Sequence, residues 1–138
     1  MGFLIDTNVL AELRKGDRGD RGVQAWYAGV SSSDLYVSVI VLGEIRRGAE
    51  LLRRRDPIAA ARLDVWLATL RTSVGNRLLP ISPEVADSWG RRGIPDRLPM
   101  ADGLLAATAL VHDLVLVTRN TRDVERSGVK LLNPFIGR

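Results

Sequence analysis

Five short apolar runs, separated by longer stretches of helical period, restrict the fold of this chain more than any other feature. The runs are Phe3 to Ile5, Leu35 to Val37, Leu78 to Ile81, Leu114 to Val117 and Lys130 to Leu132. Each is too short for a helix and reads as a strand. Between them, Val39 to Arg55, Pro57 to Ser73, Pro83 to Arg92 and Met100 to His112 carry apolar residues at helical spacing. Strands alternating with helices predict an α/β fold, a central and mainly parallel β-sheet flanked by α-helices. Thr7, Pro57 and Ser82-Pro83 mark helix starts, and Gly93 marks a helix end. From Arg14 to Gly22 there is no apolar residue and there are three glycines. That stretch reads as an exposed, mobile loop between helices.

Size and composition narrow the class. The 138 residues fit one domain spanning 1–138, and no linker or internal repeat divides them. A hydrophobic share of 46% with 26% charged residues excludes disorder over most of the length. The start Met1-Gly2-Phe3-Leu4-Ile5-Asp6 lacks the basic opening of a signal peptide, and no run reaches the roughly 18 apolar residues of a membrane span. A cytoplasmic protein with no membrane contact is expected. Cysteine is absent, which removes disulfides and thiolate metal sites and leaves carboxylates as the hard ligands. Twenty basic residues against sixteen acids give a net charge of +4, and all the basic residues but Lys15 and Lys130 are arginine. Arginine's planar fork suits phosphate partners. A general preference for arginine over lysine would give the same composition, so composition by itself does not establish nucleic-acid binding.

The acids fall where the scaffold ends its strands. Asp6 closes the first run, and in open α/β sheets the carboxyl ends of the strands face the ligand crevice. Asp6 also suits a simple hydrogen bond to the first turn of the next helix. Glu44 interrupts the apolar stretch Val39-Ile40-Val41-Leu42-Gly43, where burial of an unpaired carboxylate is costly. A metal ion would relieve that cost, and so would a turn to solvent with Arg46 or Arg47 as partner. Asp102 falls in the first turn of the helix from Met100, where the dipole favours an acid and backbone N–H groups would hold it at a low pKa. Asn120 and Asp123 leave the fourth run through a polar turn, and Asp123 also suits a helix cap. Taken together, these oxygen donors point to Mg2+ or Mn2+.

Four motifs in order carry a resemblance over nearly the whole chain. They are Leu4-Ile5-Asp6-Thr7-Asn8-Val9-Leu10, then Ser38 with Gly43-Glu44-Ile45-Arg46-Arg47-Gly48, then Ala101-Asp102, then Val117-Thr118-Arg119-Asn120, followed by the ending Leu131-Leu132-Asn133-Pro134. This pattern resembles the PIN-domain ribonuclease toxins, especially the FitB-like group of the VapC family. The resemblance implies a PIN fold and an acidic triad of Asp6, Glu44 and Asp102. It implies a fourth ligand from the turn after Thr118, with Asn120 and Asp123 as alternatives. Val41 departs from the pattern, since relatives often carry Thr there.

Such a cluster of carboxylates repels itself, and one or two divalent cations would remove the repulsion while polarising a phosphodiester. The expected activity is metal-dependent endoribonuclease cleavage by water, leaving 5′-phosphate and 3′-hydroxyl ends. Thr7, Arg46, Thr118 and Arg119 are read as substrate contacts, with Arg46 the foremost. Arg53, Arg54 and Arg55 suit a solvated face, and His112 suits a helix C-terminus. Trp26, Trp66 and Trp89 read as core or subunit contacts. Ile58, Leu63, Trp66, Leu67 and Leu70 exceed what one small core covers and so predict association. The resemblance implies a homodimer and a VapB-like antitoxin partner whose arginine enters the carboxylates. A non-catalytic RNA-binding or protein-interaction module is the alternative, with the acids as caps and ion pairs. A phosphohydrolase using a phospho-aspartate ranks lower, because Asp6-Thr7-Asn8 offers one acid where Asp-x-Asp is usual.

Overall fold

The computed structural model describes residues 1–92 and 98–135. All five apolar runs are strands: β1 (Phe3–Ile5), β2 (Leu35–Ser38), β3 (Leu78–Leu79), β4 (Val115–Val117) and β5 (Leu131–Leu132). They form one sheet in the order β3-β2-β1-β4-β5, and every pairing is parallel. Leu4 and Ile5 of the central strand are 0% and 2% exposed, as expected for a strand covered on both faces. The third run stops two residues early because Pro80 has no N–H to continue the ladder.

Seven α-helices flank the sheet among the described residues: α1 (Thr7–Arg14), α2 (Arg21–Ala28), α3 (Val39–Arg53), α4 (Pro57–Val74), α5 (Pro83–Arg91), α6 (Met100–Val111) and α7 (Thr121–Val124). The expected start signals hold at Pro57, which lies in the first turn of α4, and at Ser82, whose hydroxyl caps α5 by accepting from Val85 N. The expected end at Gly93 lies outside the described residues. Helix α3 ends at Arg53 rather than Arg55, since the chain turns there and Asp56 N bonds to Leu52 O. Helix α4 ends on Gly75 at φ +56°, a conformation cheap only for glycine. No helix among the described residues is long and apolar enough to cross a membrane.

The glycine-rich stretch after Arg14 differs from the loop expected of it. Gly16–Arg18 form a 3-10 turn, Glu12 accepts from Asp20 N at 2.9 Å, and the Gln24 amide donates to the carbonyls of Gly16 and Gly19. Local polar side chains therefore tie down a segment that lacks apolar anchors.

The strand order fixes where a site can form. From β1 the chain builds outward through β2 and β3 on one side, while β4 and β5 lie on the other, so the order switches between β1 and β4. Ligand crevices in open parallel sheets lie at the carboxyl ends of the strands beside such a switch. Asp6 and Thr118 follow the paired residues Ile5 and Val117 there.

Candidate functional site

Asp6 leaves β1 with its backbone N–H on Val117 O at 3.0 Å, so the ladder delivers its side chain to the switch point. The residue is only 8% exposed, and both carboxylate oxygens are occupied. Oδ1 accepts from Thr7 N at 2.7 Å, the helix-start role that local pattern alone suggests. Oδ2 accepts from Thr118 Oγ1 at 2.8 Å, and that second bond is not one that helix capping requires.

Thr118, 1% exposed, has its hydroxyl direction fixed by its neighbours. Its oxygen accepts from Asn120 N at 3.0 Å and from Asn8 Nδ2 at 3.4 Å. With two donors pointing in, the single hydroxyl proton goes to Asp6. The expected contact of Thr118 with substrate is therefore corrected: burial keeps it from solvent, and its proton serves a carboxylate. Asn8, which sequence reasoning passed over, closes the loop by accepting Arg119 N at 3.2 Å on Oδ1. The signal was present in the Asp6-Thr7-Asn8 run, an amide in the first turn of the helix beside the strand end.

Glu44 resolves neither as a buried acid nor as a partner of Arg46 or Arg47. It is exposed, and its Oε1 accepts from Thr7 Oγ1 at 2.7 Å, which joins α3 to α1. Thr7 thus also spends its proton on a carboxylate. Arg46 lies two positions further along α3, which puts it off the Glu44 face. Its Nη1 bonds Asp64 at 2.7 Å and Glu50 at 3.2 Å, and Arg53 joins the same network. Val41 is fully buried, so the departure from Thr there places a methyl pair in the core.

Asp102 corrects another expectation. Its position in the first turn of α6 is as foreseen, but no side-chain cap forms, and its carboxyl is held above the usual range. Burial is the first cause, followed by the charges of Asp6, Asp123 and Glu44. Among the described residues, the side chains acting on Asp102 are all acids. Asp6, Asp123 and Glu44 are thus near enough to act on Asp102 by charge, although Asp123 and Glu44 are themselves exposed. Asn120 is exposed, and what it contributes is its backbone N–H to Thr118. Arg119 is exposed, with its guanidinium 5.0 Å above the Phe135 ring.

The arrangement suits a hard divalent cation in charge and ligand type, with carboxylates and no imidazole or thiolate. Its oxygens are not drawn into a closed ligand set: among the described residues no three acids or histidines converge on a metal position. Asp6 and Glu44 are instead turned onto Thr118 and Thr7.

Away from these acids, Trp26 packs edge-on against Phe3 at 5.5 Å, Trp66 packs on the core, and the Trp89 indole edge lies against Gly103. His112 is exposed at the C-terminus of α6. Of the apolar residues expected to be in excess, Leu67 is buried while Leu63, Trp66 and Leu70 pack on the core. Only Ile58 of that set is uncovered, at 69%, together with Val65 and Leu51.

Comparison with known proteins agrees with this fold. The PIN domain family model matches residues 3–128. The chain is 30% identical over 140 residues to the VapC ribonuclease Y4jK of Sinorhizobium fredii, covering 96% of this chain and 97% of that one. It is likewise 30% identical to the toxin FitB of Neisseria gonorrhoeae, with 96% and 98% covered. The crystal structure of FitAcB from Neisseria gonorrhoeae superposes with a TM-score of 0.86 at 29% identity, covering 96% of this chain and 97% of that one. The parallel sheet, the acids at its switch point and these likenesses together make the chain a member of the PIN-domain family, in the group of VapC ribonucleases and FitB toxins.

Proposed function

We propose that the chain is the toxin of a type II toxin–antitoxin pair, a single nuclease domain that cleaves RNA endonucleolytically with Mg2+ or Mn2+. The observation that carries this reading is Asp6, delivered by β1 to the switch point and bonded there to Thr118, with Asp102 near enough to Asp6, Asp123 and Glu44 for their charges to raise its pKa. Such a cluster is costly unless a positive charge is supplied from outside. Asp6, Glu44, Asp102 and Asp123 would hold the cation. When bound, it supplies Lewis-acid polarisation of the phosphodiester and the missing counter-charge.

The chain's own residues prepare the site. Thr118 keeps Asp6 in one rotamer, and Thr7 does the same for Glu44. Arg119 binds an RNA phosphate, which the acids would otherwise repel. Asn120 supports the turn through its backbone, so its side chain is the weaker choice for fourth ligand. Arg46 serves the α3–α4 contact first and can reach RNA only by leaving Asp64 and Glu50. Water is the attacking group, so no side chain needs to form a bond to phosphorus.

The name of the FitB relative supports an antitoxin partner, a VapB-like protein that inhibits by placing an arginine among the carboxylates. A cytoplasmic location and a homodimer complete the reading. The test is to incubate the purified chain with single-stranded RNA and to map the 5′ ends of the fragments. Cleavage with Mg2+ or Mn2+ that stops in EDTA is expected, and cleavage that persists in EDTA overturns the metal mechanism.

A further inference from the structure

We propose that Phe135 and Asn8 are positioning residues that hold Arg119 as a preset clamp for a phosphate of the RNA strand. The proposal rests on the nuclease reading above and adds to it how the phosphate contact is built. Arg119 follows Thr118, the residue bonded to Asp6, so it stands at the rim of the carboxylate cluster. Its backbone is fixed from one side, because its N–H donates to Asn8 Oδ1 at 3.2 Å. Its guanidinium is fixed from the other, 5.0 Å above the ring of Phe135. Phe135 is itself anchored: it is 8% exposed, belongs to the core, and its N–H donates to Asn133 Oδ1 at 3.0 Å.

The chemistry of that hold is what matters. A ring takes one face of a guanidinium and uses none of its N–H donors, which all lie in the plane. Several other arginines among the described residues have their donors spent. Arg46 and Arg53 bond Glu50 and Asp64, Arg91 bonds Asp87, and Arg77 bonds the carbonyls of Leu35 and Ser73. Among the described residues the Arg119 guanidinium has no acidic or carbonyl partner. An arginine that is oriented while its donors stay open matches bidentate phosphate recognition, since little side-chain freedom remains to be lost on binding.

The test measures binding of a labelled single-stranded RNA oligonucleotide in EDTA over a range of salt, so that no cleavage intervenes. Arg119→Gln should weaken binding roughly tenfold. It should also reduce the salt slope by about 0.7, the value for one lost phosphate contact on a single strand. Phe135→Leu should weaken binding in the wild-type background and have no further effect in the Arg119→Gln background. Phe135→Tyr keeps the ring and should bind as wild type. Arg119→Lys keeps the charge but loses the fork, so it should weaken binding at an unchanged slope. Thermal unfolding of each variant accompanies the titrations, and if Phe135→Leu does not fold, Phe135→Tyr and Arg119→Lys carry the test. The proposal is overturned if Arg119→Gln or Arg119→Lys binds as wild type. It is overturned equally if Phe135→Leu costs the same in both backgrounds, if Phe135→Tyr loses binding, or if the wild type binds no RNA. Cleavage by the wild type with Mn2+, run in parallel, reports separately on the nuclease reading.

Discussion

At the scale of single residues, the hydroxyl of Thr118 decides how Asp6 is presented. Thr118→Val removes the only side-chain donor to Asp6 among the described residues while keeping the shape of the buried residue. The expected result is Mn2+ affinity and cleavage lowered by about 10- to 100-fold, the usual cost of losing a supporting bond to a ligand. Manganese titration followed by calorimetry measures it, and an unchanged affinity would show that Asp6 needs no such support. Asp123→Asn should weaken manganese binding more than Asn120→Ala, because the charge of Asp123 acts on Asp102 while Asn120 contributes its backbone. Asp6, Asp102 and Asp123 were legible in the sequence as acids at a strand end or in first turns, and Glu44 as an acid interrupting an apolar stretch. Their partners were not, because a hydroxyl's direction depends on which donors surround it. Thr118 is bonded across 112 residues to Asp6 and across 110 to Asn8, separations that no local pattern reports.

At the scale of elements, α6 shows how a correct placement can carry the wrong electrostatics. A first-turn acid is stabilised by the helix dipole, which favours a low pKa, yet burial and three neighbouring acids raise that of Asp102. Because the folded pKa lies above the unfolded value, the fold favours protonated Asp102. Its contribution to stability is full below the unfolded pKa and is lost as pH rises through the folded one. A bound divalent cation favours the ionised form instead. The rise in Tm on adding Mn2+ should therefore be large at about pH 7 and shrink at about pH 4, where protons compete for the acids. A pH-independent rise would place the cation elsewhere. On α3 and α4 the opposite sign applies: Arg53 and Arg46 hold Asp64 down at about 2. Its contribution is fully present above the ordinary carboxylate pKa and is lost below it, as pH falls through the lowered value of about 2. These side chains are about one-third exposed or more, so salt should screen the network and Asp64→Ala should lower Tm only slightly. The helices themselves were readable from apolar period and from Pro57 and Ser82. The pairing of Arg46 with Asp64 was not, since it depends on how α4 folds back against α3.

At the scale of the whole molecule, alternation of strand and helix revealed a parallel sheet but not its order, and the order is what makes a site. Only with β1 between β2 and β4 do the ends carrying Asp6 and Thr118 meet. The same limit governs the expectation of a dimer. Apolar residues on α4 looked excessive because period alone does not tell which of them face α3 and the core. Leu63, Trp66, Leu67 and Leu70 turn out to be used there. The uncovered surface is instead Ile58 and Val65, at 69% and 67% exposed, seven residues apart and so on one stripe of the helix. A stripe of that kind gains by being covered, and a second copy of the chain can cover it with the same stripe in an isologous contact. Sedimentation of the purified chain should then show a dimer at micromolar concentration. A charge at the centre of the stripe, Val65→Glu, should shift it to monomer without loss of the fold, since Val65 is not part of the core. Replacing Leu67, which is 2% exposed, would unfold the chain instead and serves as the contrast. A wild-type chain that sediments as a monomer, or a Val65→Glu chain that remains a dimer, would remove α4 as the subunit contact.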